Sequence, residues 1–95
     1  MKSKATISRD ADLFRQELSN NRIFLAETLE ESPGGKIEVR DIAKRAAEWR
    51  KKHGGPITES IHSIRRQMQV WGYDIQPDSH TWRPILCGYK FKEQP

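Results

Sequence analysis

The chain has 95 residues, enough for one domain but too few for two separate hydrophobic cores. Basic residues outnumber acidic ones 17 to 13, for a net charge of +4, and hydrophobic residues make up 35% of the chain. Three tryptophans, two tyrosines and three phenylalanines argue against a disordered chain, and no apolar run approaches the ~20 residues of a membrane-spanning helix.

The first third of the chain predicts helical structure after a short polar start. Residues 1–7 are polar and are expected to form a flexible N-terminus. The helical pattern begins at Asp10, and the run Ser19-Asn20-Asn21 is typical of helix caps, so we expect a second helix over 20–31. One continuous helix through this run is the alternative that the pattern leaves open.

Chain-breaking residues separate the next elements. The run Ser32-Pro33-Gly34-Gly35 ends the first helical region, and the alternation at 36–39 predicts one short strand. Residues 40–53 predict a helix with an alanine-rich apolar side, which ends at Gly54-Gly55-Pro56. This ending predicts a tight connection to the following helix.

The last part of the chain predicts a helix followed by a hairpin. Apolar residues in 57–71 recur at spacings of four and three, which define one narrow helical stripe that ends at Gly72. Residues 73–75 and 85–91 predict two strands joined by polar turn residues. This order predicts a winged helix-turn-helix: a mainly α, α+β domain over 8–95 with about four helices and a two-stranded wing at 73–91.

The predicted 57–71 helix carries side chains suited to reading DNA. Arg66 can form two hydrogen bonds to one guanine, and Gln67 can form two hydrogen bonds to one adenine. His62 and Ser63 can donate to bases or phosphates, and the amides near Thr58 suit a phosphate. The alternative is an ordinary amphipathic surface helix, in which arginine and glutamine are simply good helix formers.

Positive charge is concentrated after residue 35. Residues 1–35 carry five basic and six acidic side chains, whereas residues 36–95 carry twelve basic and seven acidic ones. This asymmetry favours a polyanionic partner, of which nucleic acid is the commonest.

The predicted wing has two features with more than one interpretation. Trp82 either packs on the helices or is exposed as a contact for DNA or for a protein. The apolar stretch 84–87 indicates a dimer edge or a partner surface.

Three stretches in order along the chain resemble the winged-helix effector domains of two-component response regulators. Residues 18–34 (LSNNRIFLAETLEESPG) resemble the first core helix of that family. Residues 61–68 (IHSIRRQM) resemble its recognition helix, and residues 88–91 (GYKF) resemble the strand that closes its wing. The resemblance implies a free-standing effector domain, without a receiver domain, that binds duplex DNA sequence-specifically.

The same resemblance implies a role for particular residues, with the recognition helix in the major groove and the wing at the minor groove or the backbone. Its base-facing positions fall on His62, Ser63 and Arg66, with Arg65 as a phosphate-binding or structural arginine. In the wing, Ile85 and Leu86 stand where the family has a basic residue and a glycine. Together, pattern and resemblance place at the DNA Thr58, Glu59, His62, Ser63, Arg65, Arg66, Gln67, Lys44, Arg45, Lys51, Lys52, His80, Arg83 and Lys90.

The sequence predicts a small transcriptional regulator, not an enzyme. The single cysteine, Cys87, excludes an internal disulfide and favours the cytoplasm, and the histidines match no zinc-binding spacing. We expect no cofactor, metal, small-molecule ligand or membrane association; the partners are double-stranded DNA and, beyond it, a second copy of the chain or a host regulatory protein. The alternative function, favoured by Glu59 and the apolar wing strand, is a protein-interaction module, such as a phage or mobile-element inhibitor of a host regulator or polymerase.

Overall fold

The computed structural model describes the backbone of residues 2–92 and the side chains of residues 11–92. These residues form, in order, α1 (Lys2–Thr28), β1 (Leu29–Glu38), α2 (Val39–His53), α3 (Ile61–Val70), β2 (Ile75–Pro77) and β3 (Pro84–Phe91). The predicted mixed α+β class is confirmed, although this part of the chain holds three helices where about four are expected. No helix among the described residues is both long and apolar enough to cross a membrane.

Helix α1 runs without interruption to Thr28, so the predicted break at Ser19 is wrong and the continuous alternative is confirmed. The two asparagines after Ser19 bond to a distant loop instead of capping a helix. Asn20 Nδ2 donates to the Pro56 carbonyl oxygen at 2.8 Å, and Asn21 Nδ2 donates to Thr58 Oγ1 at 2.8 Å. Because these side chains have partners elsewhere, they do not compete with the helical backbone.

Helix α1 also begins earlier than the sequence pattern indicates. It starts at Lys2, so residues 2–7 form its first turns where a flexible N-terminus is predicted. Met1 and the side chains before residue 11 lie outside the described residues, and so do residues 93–95 of the predicted domain.

The sheet contains three antiparallel strands in the order β1-β3-β2. Strands β2 and β3 form an antiparallel hairpin, with β2 at Ile75–Pro77 where 73–75 is predicted. A third strand joins the hairpin through β3, so the sheet is larger than the predicted two-stranded wing. Strand β1 is also longer than the predicted 36–39 strand, because it runs through the predicted breaker at 32–35. Its register with β3 shifts between Glu31 and Lys36, and this irregularity accommodates the extra residues.

Gly35 allows β1 to approach β3 at this irregularity. A Cβ atom built at Gly35 would lie 2.3 Å from the carbonyl oxygen of Tyr89, closer than any real contact of that kind. Since that oxygen belongs to the backbone of the central strand, it can move away only if the sheet distorts. The position therefore requires glycine.

We expect Gly35→Ala to lower the free energy of unfolding by about 1–3 kcal/mol, because the added methyl group overpacks a backbone contact. Chemical denaturation measured by circular dichroism checks this. The matched control is Lys36→Ala at the next position, which removes an exposed side chain and should change stability by no more than about 0.5 kcal/mol. Equal stability of the two variants would contradict the close approach.

The core lies where the sheet meets the helices. Ile37 of β1, Leu86 of β3 and Ile75 of β2 are opposite one another in register, and all three are buried. All three helices contribute to the same cluster, with Phe24, Leu25, Ile42, Ala43, Ala46, Ile64 and Met68. Because β3 is the central strand, the prediction that 84–87 forms a dimer edge is wrong; the edge strands are β1 and β2.

The connection between α2 and α3 is longer than predicted. Gly54 ends α2 in the left-handed region (φ +72°), and its N–H donates to the Arg50 carbonyl oxygen at 2.7 Å. Helix α3 begins at Ile61 and not at residue 57, because Ser60 has an extended backbone and its Oγ accepts a hydrogen bond from the Ser63 N–H. The predicted 57–71 helix is therefore shortened at both ends, to 61–70.

Candidate nucleic-acid interface

Helix α3 has one buried side and one exposed side. Ile64 and Met68 are buried in the core. Successive helical residues turn by about 100°, so five of the six exposed residues of α3 lie within roughly one third of its circumference, and the sixth, Ile61, lies apart from them at the start of the helix. We define the outward face of α3 by these five residues, which are His62, Ser63, Arg66, Gln69 and Val70.

The outward face contains a glutamine, but not the predicted one. Gln67 is half-buried and lines a small cavity with Asn21 of α1 and with Trp71, so its assignment to the exposed face is wrong. Gln69 is exposed instead. It lies seven residues, about two turns, after His62 and three after Arg66, a spacing that places all three on the same face. That spacing is the sequence signal that could have identified it.

Arg65 lies at the border of this face. Its Nη2 atom is 3.2 Å from His62 Nδ1. Its Nε atom is buried and has no hydrogen-bond partner among the described residues. An arginine held against the protein in this way orients its histidine neighbour, so the geometry favours the structural role for Arg65 over direct phosphate binding.

The residues just before α3 bind the protein itself. The Thr58 N–H donates to Asn21 Oδ1 at 3.0 Å, and the Thr58 hydroxyl donates to Glu17. The predicted phosphate site at the Thr58 amide is therefore wrong, because that amide is already satisfied and precedes the helix. Glu59 forms an ion pair with Arg50 of α2. This pairing offsets the negative charge that would otherwise repel a phosphate near α3.

Three of the four basic residues of α2 that are predicted at the DNA line one open groove. Arg45 lies over the Phe91 ring, with 4.1 Å from Cζ to the ring centroid, and it lines this groove with Lys51, Lys52 and Glu48. Lys44 is exposed and lies seven residues before Lys51, which places it on the same side of α2 as Lys51.

A cluster of charged groups joins the start of α2 to the β2–β3 turn. Arg83 Nε donates to Glu38 Oε1 at 2.5 Å, and Arg40 Nε is 3.7 Å from the same oxygen. Hydrogen bonding from Arg83 is the main cause that holds the pKa of Glu38 below its usual range. Two cations share this carboxylate, and the Asp78 carboxylate is close enough to act on its pKa, so the two positive and two negative charges balance. Arg40 was not predicted at the site, although it lies one turn before Lys44 on the same side of α2.

The turn between β2 and β3, residues 78–83, is organised by Asp78. Its Oδ2 atom accepts hydrogen bonds from the Thr81 N–H (2.8 Å), the His80 N–H (3.0 Å) and the Thr81 hydroxyl (3.0 Å). The Asp78 N–H also donates to the Arg83 carbonyl oxygen at 2.8 Å, which closes the hairpin. The bonds from Thr81 and His80 hold the pKa of the Asp78 carboxyl below its usual range.

Three predicted wing residues are exposed, but they are not all in one place. His80 and Arg83 lie in the turn, whereas Lys90 lies near the far end of β3, opposite Glu30 of β1. Lys90 lies six residues after Pro84, roughly 20 Å along the strand. Trp82 is 76% exposed, so of its two interpretations packing on the helices is wrong and exposure is confirmed.

We expect acid to destabilise the turn through Asp78. A carboxyl whose pKa is lower in the folded chain stabilises the fold above its unfolded pKa, near 4, and this contribution is lost as the pH falls through the folded value. Asp78→Asn keeps an accepting oxygen but cannot titrate. Melting temperatures measured from pH 6 to about pH 2.5 should therefore fall more steeply for the natural chain than for Asp78→Asn. Parallel profiles for the two chains would contradict this origin of the pKa shift.

The described side chains hold no group of three or more histidine, cysteine, aspartate or glutamate residues arranged to bind a metal ion. Comparison of the chain with protein-family models, with curated proteins and with solved structures finds no match. The geometry of α3, the start of α2 and the β2–β3 turn is therefore the basis for inferring a function.

Proposed function

We propose that this protein binds duplex DNA as a winged helix-turn-helix regulator, similar to response-regulator effector domains, with α3 in the major groove. The outward face of α3 is the observation that carries the proposal. Arg66 and Gln69 are exposed, and neither side chain forms a hydrogen bond or ion pair with the described residues. An arginine side chain can form two hydrogen bonds to one guanine, and a glutamine side chain can form two to one adenine.

The order of the elements supports this proposal. Helix, strand, helix, helix and a closing hairpin follow one another in the described residues, and β1 pairs with the last strand of the hairpin. In helix-turn-helix docking the second helix of the pair enters the groove while the first crosses the backbone. Helices α2 and α3 correspond to these two roles.

The charged groups around α3 also support a polyanionic partner. Arg40, Lys44 and Lys51 extend along one side of α2, and Arg83 joins them at the Glu38 cluster. Glu59, an argument against DNA in the sequence, is paired with Arg50. Lys44, Lys51 and Arg66 form no ion pair with the described residues, whereas Arg40 and Arg83 share Glu38, so three to five cations are proposed as contacts to phosphates or bases.

Binding to a fluorescently labelled duplex of mixed sequence tests the proposal. We expect fluorescence anisotropy to detect binding at about 50 mM salt, with a slope of log affinity against log salt of about −3 to −5 for three to five phosphate contacts. Selection from random duplexes should then yield a preferred sequence, and a palindromic one would indicate a dimer. Absence of binding at low salt would overturn the proposal.

A protein-interaction module is the second candidate, and exposed apolar residues of α1 favour it. Leu13 and Phe14 are 50% and 61% exposed, and they continue the side of α1 that buries Phe24 and Leu25 further along. A second copy of the chain or a host regulatory protein are the partners proposed for this surface. Capture of one protein partner by a chain that binds no DNA would favour this candidate, and a cytoplasmic location is proposed for both.

A further inference from the structure

Trp82 has a backbone conformation that large side chains avoid. Its φ angle is +63°, in the left-handed region, and it is the one non-glycine residue with positive φ among the described residues. Its side chain is also 76% exposed. A bulky residue in this region is an outlier that glycine or asparagine would occupy with less strain.

Neighbouring groups hold Trp82 in place. Its N–H donates to the Asp78 carbonyl oxygen at 3.0 Å, and the Asp78 carboxylate fixes the backbone of His80 and Thr81 just before it. Arg83, just after it, is anchored to Glu38. The turn is thus rigid on both sides of an indole that does not contribute to the core.

The surroundings of Trp82 indicate the kind of partner. No other large hydrophobic side chain is exposed in residues 75–91. Around Trp82 the turn carries Asp78, Ser79, His80, Thr81 and Arg83, and the carboxylates of Asp78 and Glu38 are balanced by Arg83 and Arg40. Protein-binding aromatic residues usually lie within an apolar patch, whereas a lone exposed ring among polar groups and arginines suits insertion between base steps in a DNA groove.

We propose that Trp82 is a wedge that enters the minor groove of the bound duplex and partly unstacks one base step beside the sequence contacted by α3. This inference rests on the proposed function. A wedge of this kind bends DNA, and it favours steps that unstack easily, such as TA and CA. Trp82 would therefore add specificity through DNA deformability, at a position where it makes no base-specific hydrogen bond.

Fluorine NMR of the chain labelled with 5-fluorotryptophan tests the contact directly. The three tryptophans give three signals, and Trp82→Phe identifies the signal of Trp82 by its loss. Addition of a bound duplex should shift or broaden this signal most, with the half-buried Trp49 and Trp71 as internal references. A duplex that binds and leaves the Trp82 signal unchanged would overturn the wedge while the proposed function stands. Absence of DNA binding overturns both.

Trp82→Gly tests whether the tryptophan at this position serves DNA binding or the stability of the fold. Because glycine accepts positive φ, we expect the variant to melt at an equal or higher temperature, by a few degrees. Its affinity for the preferred duplex should fall at least about fivefold, the size of one lost aromatic–base stack. The DNA bend, measured by energy transfer between dyes at the duplex ends, should decrease as well.

Ser79→Gly is the matched control, because it introduces a glycine at another exposed position of the same turn and keeps Trp82. We expect it to retain the DNA bend. Unchanged affinity and unchanged bend in Trp82→Gly would overturn the inference, as would a Trp82 signal that responds to a protein partner but not to DNA.

Discussion

Leu86→Ala is expected to lower the free energy of unfolding by about 2–5 kcal/mol, the largest effect we predict for a single substitution in this chain. Leu86 is fully buried on the central strand β3. It lies directly opposite Ile37 of β1 and Ile75 of β2, so its side chain contributes to packing across the whole sheet. Truncation leaves a cavity that neither edge strand can fill without distorting its pairing.

Ile85→Ala is the matched control for this prediction, because successive strand residues point to opposite faces of a sheet. Ile85 is half-buried, so the same kind of truncation should cost distinctly less than at Leu86. Urea denaturation of both variants, fitted with one common slope of unfolding free energy against urea concentration, measures the two losses of stability. If the two variants lose equal stability, Leu86 is not at the centre of the core.

Local sequence patterns predict those helices and hairpins whose apolar positions and terminating residues all lie close together in the chain. The α2 helix was expected over 40–53 and is found at Val39–His53, because its apolar positions and the terminal Gly54 are all local. The hairpin was expected for the same reason, since turn residues between two apolar runs are a local signal. The buried pair Ile64 and Met68 likewise follows from helical spacing.

The errors occur where distant residues decide the structure. Asn20 and Asn21 have the chemistry of helix caps, but their partners lie 36 and 37 residues away, so no local rule could favour the continuous helix. Strand β1 contains Pro33 and two glycines, and it is a strand only because β3 supplies its hydrogen bonds. Strand pairing of this kind overrides local propensity.

The exposed side of α3 could be predicted from the sequence in part. His62, Ser63 and Arg66 lie on the outward face of α3 as expected, whereas Gln67 lies only about 60° around the helix from the buried Ile64 and is half-buried. Gln69 is exposed because it lies about 100° from Met68 and about 140° from Ile64, away from the buried side. Arg40 could not be placed from the sequence, because its position beside Arg83 depends on the sheet.

Arg66→Ala is expected to weaken binding to the preferred duplex by about 1–3 kcal/mol, roughly 5- to 150-fold in Kd. Its exposed side chain makes no contact that stabilises the fold, so the melting temperature should be unchanged. Selection from random duplexes with the variant should show relaxed preference at one base position, because a paired bond to one base is lost. Anisotropy titrations on the preferred and a scrambled duplex measure both effects.

Two controls separate base reading from the loss of one positive charge. Arg15→Ala removes an exposed arginine from α1 that lies outside the proposed interface, and it should leave affinity nearly unchanged. Lys44→Ala removes a cation of α2 that we assign to a phosphate, so it should weaken binding to both duplexes equally and reduce the salt slope by about one. If Arg66→Ala behaves like Lys44→Ala, α3 contacts only the backbone. If it behaves like Arg15→Ala, α3 is not the DNA-binding helix.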